Sequence, residues 1–170
     1  PADADVGFAD DMTSHYLQGV ELAFAYLESG TDDFLRHVAR EIITVQAGEA
    51  RLLQAQMDRW DAEPSPDEAL GWMGTPVPQD EQPGMASGDD LAALRAATGT
   101  DLDDLYSRLM IEHHAGGVSI ADGALEDGRH PDIQVLAGTI RRVLEVEMDG
   151  LNQRRRELGL PQLQPEIDAD

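Results

Sequence analysis

Two matching stretches of sequence decide the fold of this chain. Residues 12–23 read MTSHYLQGVELA, and residues 110–121 read MIEHHAGGVSIA. Methionine, histidine, glycine, valine and alanine recur at the same places in both stretches. The apolar residues return every three or four positions, which is the spacing of one helix face and not the alternation of a strand. We therefore predict two equivalent helices, each with a histidine among its apolar residues.

The match extends well beyond these two stretches. At an offset of 98 residues, residues 8–60 align with residues 106–158 without a gap. Gly30 and Gly128 fall at the same place, where glycine commonly ends a helix. Each aligned segment is long enough for two helices joined at its glycine, so the sequence predicts a duplicated αα-hairpin. We expect residues 1–170 to form one all-α domain, a ferritin-like four-helix bundle.

Start and stop signals bound the four predicted helices. Apolar periodicity and the hairpin glycines set most of the boundaries, and a proline at position 131 suits the first turn of the last helix. The helices are predicted over residues 6–29, 32–60, 101–127 and 131–158.

The segment between the two hairpins has a different character. Residues 61–100 hold most of the prolines and too few apolar residues for a core of their own, so we predict a long crossover. Within it we expect a short helix from Ser65 toward Trp72, opened by a capping box, and another over residues 89–98. The last residues, 161–170, are expected to form a loose tail.

Composition limits the possible partners. The chain carries 12 basic and 34 acidic residues, a formal net charge of −22. Such a surface repels nucleic acid and anionic membranes, attracts cations only loosely, and by itself indicates no more than solubility, so we expect no nucleic acid as partner. No run of 18 apolar residues occurs, so no membrane insertion is expected. A protein partner is not identified by any motif.

Cysteine usage and the first residue bear on chemistry and location. The chain has no cysteine, which excludes disulfides, thiolate metal sites and cysteine nucleophiles. It begins at Pro1 without a methionine. Removal of a signal peptide would explain this start, and so would a cloning boundary. We expect a secreted or extracytoplasmic protein with its signal peptide removed.

Polar residues interrupt the predicted apolar faces at one place on each helix. In the first helix His15 lies within the stripe formed by Phe8, Met12, Gly19 and Ala23. In the second helix Glu49 lies between Val45 and Leu52, on the same apolar side. Each helix of the first hairpin thus directs one ionisable residue toward the core.

The duplication repeats this arrangement. His113 and Glu147 occupy the places of His15 and Glu49 in the second hairpin. Counted from the hairpin turn, histidine and glutamate differ in height by about one helical turn, which their side chains can span. Helix bundles build metal sites from carboxylates and histidines that project inward. We therefore predict His15, Glu49, His113 and Glu147 as metal ligands.

A second interpretation needs no metal. Each glutamate would hydrogen-bond a histidine across its hairpin, because buried carboxylates require partners. The protein would then be a non-enzymatic structural or interaction module. In either case Gly19 and Gly117, one turn after the histidines, each cost about 1 kcal/mol relative to alanine, which indicates close approach of a facing helix or a ligand.

Other residues are predicted to lie at the edge of this site or at the same height along the bundle. Methionine thioethers favour cuprous ion, but a methionine at helical spacing more often belongs to the core. We expect copper or zinc in preference to iron. Di-iron bundles use about four carboxylates and two Glu-x-x-His motifs, whereas these helices carry Met-x-x-His. No hydrolase or phosphate-loop signature occurs, and we predict no catalytic residue. The secondary candidates are His114, Met12, Met110, Met148 and Gln46.

Two segments resemble a known family. Residues 110–116 are similar to the double-histidine helix of the bacterial family catalogued as domain of unknown function 305 (DUF305). Residues 39–43, followed by Gln46 and Glu49, are similar to its Gln-x-x-Glu helix. The resemblance covers both hairpins. It implies a ferritin-like four-helix fold, an exported protein and, as in some members, copper handling.

The family motif can be placed residue by residue. The matching positions in the second repeat are Met110, His113, His114 and Glu147, and those in the first repeat are Met12, His15, Gln46 and Glu49. The chain departs from the motif where Tyr16 replaces a second histidine, Leu144 replaces a glutamine, and Glu112 stands where proline is common.

Overall fold

A computed structural model describes residues 1–165, and helices account for most of this part of the chain. The all-α class is confirmed. Four long helices begin and end within a few residues of the predicted boundaries. The helices are α1 (Asp3–Ser29), α2 (Asp33–Arg59), α3 (Gly88–Ala96), α4 (Gly99–Asp127) and α5 (Pro131–Glu157). Two short strands, β1 (Glu68–Ala69) and β2 (Val77–Pro78), pair antiparallel.

The long helices form two hairpins, α1 with α2 and α4 with α5. In each hairpin the first helix ends where a glycine N–H donates to a carbonyl four residues earlier, Gly30 to Tyr26 and Gly128 to Ala124. The helix α2 then begins at Asp32, whose carboxylate accepts the N–H of Leu35 at 3.0 Å. These caps satisfy backbone groups that the sharp turns would otherwise leave unpaired.

The two hairpins meet mainly through α1 and α4, which run antiparallel. At one end the rings of Tyr26 and Tyr106 stack with centroids 4.2 Å apart. At the other end Asp5 accepts the backbone N–H of Arg129 at 2.8 Å. The helices α2 and α5 share fewer contacts, among them the ion pair of Asp32 with Arg154. The centre of the molecule is therefore the α1–α4 seam.

The buried face of α2 differs from the predicted one. Val45 and Leu52, expected in the core, are 41% and 61% exposed. Glu49 is half-buried at the edge of the face that packs inward. The residues of that face include the ones that directly follow Val45 and Leu52 in the sequence. The residues that pack inward are Leu35, Ala39, Ile42, Gln46, Ala50, Leu53 and Met57.

The predicted short helix from Ser65 toward Trp72 is wrong, because β1 and a 3₁₀ turn occupy this stretch. Side chains of α1 accept the N–H groups of this stretch instead. Asp10 accepts the N–H of Ser65 at 2.6 Å, and Asp11 accepts the N–H of Leu70 at 2.9 Å and Trp72 Nε1 at 2.7 Å. The second predicted short helix is confirmed as α3, which Ser87 and Asp90 cap reciprocally.

Residues 65–86, here called the strap, lie along α1 and α4. Gln18 of α1 donates to the carbonyl of Ala86 at 2.9 Å and accepts its N–H at 2.6 Å. On α4, Gly116 packs so closely on the carbonyl of Pro83 that a Cβ would overlap it. The strap thus covers one side of the α1–α4 seam.

The beginning of the predicted loose tail is fastened to α5. Asn152 pairs with both backbone groups of Leu163 at 2.8 Å, and Arg155 donates to the carbonyl of Pro161 at 2.7 Å. Residues 166–170 lie outside the described residues. Within the described helices, none is both long and apolar enough to cross a membrane.

Candidate metal centre

His15 and His113 meet at the middle of the α1–α4 seam. Both side chains are fully buried, and their rings stack with centroids 3.9 Å apart and planes 19° from parallel. The Nε2 atom of each ring lies 2.9 Å from the backbone carbonyl oxygen of the other histidine. A carbonyl can only accept, so each Nε2 carries the proton and donates it. The Nδ1 atom of each ring then holds a lone pair.

Burial keeps both imidazoles neutral. Desolvation lowers the pKa of His15 to about 4, against an ordinary value of 6.5. Desolvation and the neighbouring His15 and His114 hold the pKa of His113 well below its usual range. Neither Nδ1 has a hydrogen-bond partner within residues 1–165. Two buried lone pairs are therefore available to an electron-pair acceptor.

The third histidine of the core pairs with a carboxylate. His114 is fully buried, and its Nε2 lies 2.7 Å from Glu147 Oε2, whose side chain is 23% exposed. The Nδ1 of His114 also lacks a partner in the described part of the chain. Metal-bound histidines commonly donate their other ring N–H to a carboxylate in this way, which fixes the tautomer and the ring orientation.

Glu49 faces Tyr16, which occupies the place of His114 in the first repeat. Burial first, and then the charge of Glu49, raise the pKa of Tyr16 well above 10, so the phenol stays protonated. Burial raises the pKa of Glu49, the Tyr16 hydrogen bond opposes this rise, and the charge of Glu147 adds to it.

These contacts pair the predicted ligands differently from the expected scheme. His15 pairs with His113, whereas Glu49 pairs with Tyr16 and Glu147 with His114. Among residues 1–165, no three histidine or carboxylate side chains are gathered closely enough to form a ready metal site.

The two helical glycines make room for the stacked rings. A Cβ at Gly19 would overlap the Gln46 amide and lie 2.9 Å from His113 Cε1. A Cβ at Gly117 would lie 3.3 Å from His15 Nε2 and 2.7 Å from a methyl group of Leu144. Each glycine thus admits the histidine of the opposite helix, which accounts for the helix propensity lost at both positions.

The remaining secondary candidates are buried side chains. Met12 and Met110 are fully buried, Met148 is 7% exposed, and Gln46 is buried with neither amide atom partnered within the described residues. Sequence reasoning missed Tyr16 as the partner of Glu49. The 98-residue alignment could have pointed to Tyr16, because it matches Tyr16 with His114. Each of these two residues directly follows a predicted histidine ligand.

The fold and the buried histidines define an all-helical protein of paired hairpins with a candidate metal centre in its core. The sequence pattern described as Domain of unknown function (DUF305) matches residues 5–155. The chain therefore belongs to the DUF305 family.

Solved structures share this fold along nearly the whole chain. A candidate secreted DUF305 protein of Streptomyces coelicolor is 30% identical, with a TM-score of 0.87 over 95% of this chain and 97% of that chain. A DUF305 fragment of Deinococcus radiodurans is 24% identical, with a TM-score of 0.79 over 92% and 97%. CopM in its Cu(I)-bound form is 25% identical, with a TM-score of 0.68 over 91% and 96%. Among curated proteins, none matches this chain.

Proposed function

We propose that this protein binds a soft metal ion, copper(I) before others, through the histidines of its core. One observation carries the proposal: three buried imidazoles donate through Nε2 and leave Nδ1 without a partner in the described part of the chain. A buried polar atom without a partner costs about 1–3 kcal/mol, and coordination of a metal would remove that cost.

The predicted ligands take different roles in this proposal. His15 and His113 offer Nδ1 directly, and His114 offers Nδ1 while Glu147 orients its ring. Glu49 lies near Tyr16 and is not among the atoms offered to the ion. Imidazole nitrogen and methionine sulfur suit cuprous ion, and the buried Met12, Met110 and Met148 supply thioethers near this level. The bound ion is cargo in this account, and no chemical transformation is assigned to it.

The relatives favour copper and an extracytoplasmic location. CopM is solved in Cu(I)-bound and Ag-bound forms, each 25% identical to this chain. The Streptomyces coelicolor relative is described as a candidate secreted protein. We propose that this chain binds the same kind of ion and is likewise extracytoplasmic. We also propose that it forms one domain with a ferritin-like arrangement of helices.

Competition for cuprous ion tests the proposal. Under anaerobic conditions the protein is titrated against a coloured Cu(I) chelator, and the His15→Gln/His113→Gln variant is compared with it. Glutamine keeps a donor near the place of Nε2 and removes the Nδ1 lone pair. The exposed His37→Gln provides the matched control. We expect at least a tenfold weaker affinity for the double variant and an unchanged affinity for His37→Gln. Equal affinities for all three proteins would contradict the assignment.

The alternative function is a structural or interaction module that binds no metal. The observation favouring it is that His15 and His113 already satisfy each other through reciprocal hydrogen bonds. In that case the double variant would lose stability, and the unaltered protein would not compete for Cu(I) beyond the weak attraction of its acidic surface.

A further inference from the structure

Large apolar side chains that remain exposed are concentrated on α2 and α5. Of the eight within the described residues, six lie on these two helices, and the other two, Leu17 and Phe24, lie on α1. The three on α2 follow one another at spacings of 11 and 7 residues, which return to the same side of a helix. On α5, Val135 and Val146 are also 11 residues apart and are 71% and 70% exposed. The six are Phe34, Val45, Leu52, Val135, Val143 and Val146.

The helices α2 and α5 lie side by side and leave a cleft between them. Near one end, a Cβ on Gly150 would lie 3.7 Å from the ring of Phe34. At the other end, the rings of Trp60 and His130 meet edge to face at 5.2 Å between centroids. Between these contacts lies a cavity of about 430 Å³, lined by Glu41 of α2 and by Thr139, Arg142, Val143, Val146 and Glu147 of α5. The strap and α3 pack on the α1–α4 side of the molecule.

Charge is divided unequally between these two helices and the rest of the chain. Nine of the 12 basic residues, all arginine, lie on α2 and α5. The helix α2 carries four arginines and four carboxylates, and α5 carries five of each. The formal net charge of −22 therefore lies entirely outside α2 and α5. We call the outward side of these two helices the neutral face.

We propose that the neutral face binds the same face of a second copy of this chain, forming a two-fold symmetric dimer. A surface with balanced charges complements itself about a two-fold axis, because arginines of one copy can meet carboxylates of the other. A strongly charged partner gains no long-range attraction from a face without net charge. The apolar side chains of both copies are then removed from water, as is typical of exposed apolar patches that serve as interfaces. This inference does not depend on metal binding.

The neutral face has the area that a stable dimer requires. Each of its helices has 27 residues. Two such helices side by side present roughly 40 Å by 20 Å, or about 800 Å². Standard interfaces bury about 800 Å² on each partner. The acidic strap lies behind the neutral face by at least one helix diameter, about 10 Å, and charges at this separation are largely screened at physiological salt.

Sedimentation velocity tests the proposal on the metal-free chain across the micromolar range. We expect a monomer–dimer equilibrium that tightens as salt is raised, because salt screens the remaining repulsion between two anionic copies. Val146→Asp, which places a charge on the neutral face, should weaken the dimer at least tenfold. Phe24→Asp, at a 56% exposed site on α1, is the matched control and should leave association unchanged. Circular dichroism verifies that both variants fold, as their exposed positions predict.

Thiol labelling then locates the contact, since the chain has no cysteine of its own. Alkylation of Thr139→Cys, in the cleft, should slow as protein concentration rises, because the dimer covers it. Alkylation of Asp89→Cys, at an exposed site on α3, should proceed at a constant rate. Protection of Asp89→Cys alone would place the contact on the acidic side and overturn the inference. A monomer at every concentration, or equal weakening by both aspartate variants, would also overturn it and leave the neutral face to a partner of different sequence.

Discussion

At the scale of single residues, the stacked histidines depend on their neutral state. Protonation of either ring would place a charge in the core beside a second imidazole at 3.9 Å between centroids. It would also require a partner for Nδ1–H where the described residues supply none. The two rings therefore bind a proton less readily in the folded protein than in the unfolded chain.

Stability should consequently fall with acidification. The pKa of His15 drops from 6.5 unfolded to about 4 folded, so its contribution is complete above pH 6.5 and is lost as pH falls toward 4. The slope reaches about 1.4 kcal/mol per pH unit for each such histidine. Denaturant unfolding of the metal-free protein from pH 7 to 4.5 measures it, with His15→Gln/His113→Gln as reference. Parallel pH profiles for the two proteins would refute neutral burial.

The glycine next to the histidine ring gives a second prediction. Gly19→Ala should destabilise the fold by about 1–3 kcal/mol despite better helix propensity, because its Cβ displaces the Gln46 amide and crowds His113. Gly48→Ala, at a helical site with nothing within 4 Å, is the control and should stabilise by up to about 1 kcal/mol. Equal effects of the two alanines on the free energy of unfolding would count against the close approach.

Part of this residue-level chemistry could be predicted from the sequence. Periodicity and the repeat singled out His15 and His113 as inward-facing. They did not indicate that the two rings face each other, since that depends on α1 and α4 running antiparallel with the histidines at the same height. The pairing of Glu49 with Tyr16 depends on side-chain direction, which differs by about 100° between neighbours on a helix.

At the scale of elements, α1 acts as the binding surface for the strap. Asp10, Asp11 and Gln18 follow one another along one side of α1 and take up N–H groups of the strap. This is why periodicity predicted the long helices well and failed between Ser65 and Trp72. Long helices are determined by their own apolar faces, whereas a short segment follows its tertiary hydrogen bonds.

Removal of one strap anchor should loosen the strap selectively. Asp11→Ala leaves the N–H of Leu70 and Trp72 Nε1 without their acceptor, and should cost about 1–3 kcal/mol. Trp72 fluorescence should shift to the red, and hydrogen exchange should accelerate in residues 65–86. Asp58→Ala, at an exposed site on α2, is the control. Uniform acceleration across α1, α4 and the strap would show that the anchor supports the whole fold instead.

At the scale of the whole molecule, metal binding and stability are coupled. An ion that binds the folded state alone stabilises it by about 4 kcal/mol at a concentration 1,000 times its Kd. Thermal unfolding with excess Cu(I) under anaerobic conditions should therefore show a raised Tm that a Cu(I) chelator reverses. The His15→Gln/His113→Gln variant should show no rise. A rise of the same size in that variant would assign the effect to the acidic surface, whose formal net charge is −22.

The overall architecture was largely predictable because the duplication repeats helix lengths, turns and inward-facing residues together. Gly30 and Gly128 marked both hairpin turns, and the stretches around His15 and His113 marked the central helices. The fastening of the tail through Asn152 and Leu163 was not predictable, since these hydrogen bonds join residues that are apart in the sequence and carry no periodic signal.

The most direct test of the account is an anomalous difference map from crystals grown anaerobically with Cu(I), recorded at the copper edge. We predict a peak in the core, about 2 Å from Nδ1 of one or more of His15, His113 and His114. Peaks confined to surface carboxylates, with His15 and His113 stacked and unchanged, would contradict the account and leave the histidine cluster as core architecture.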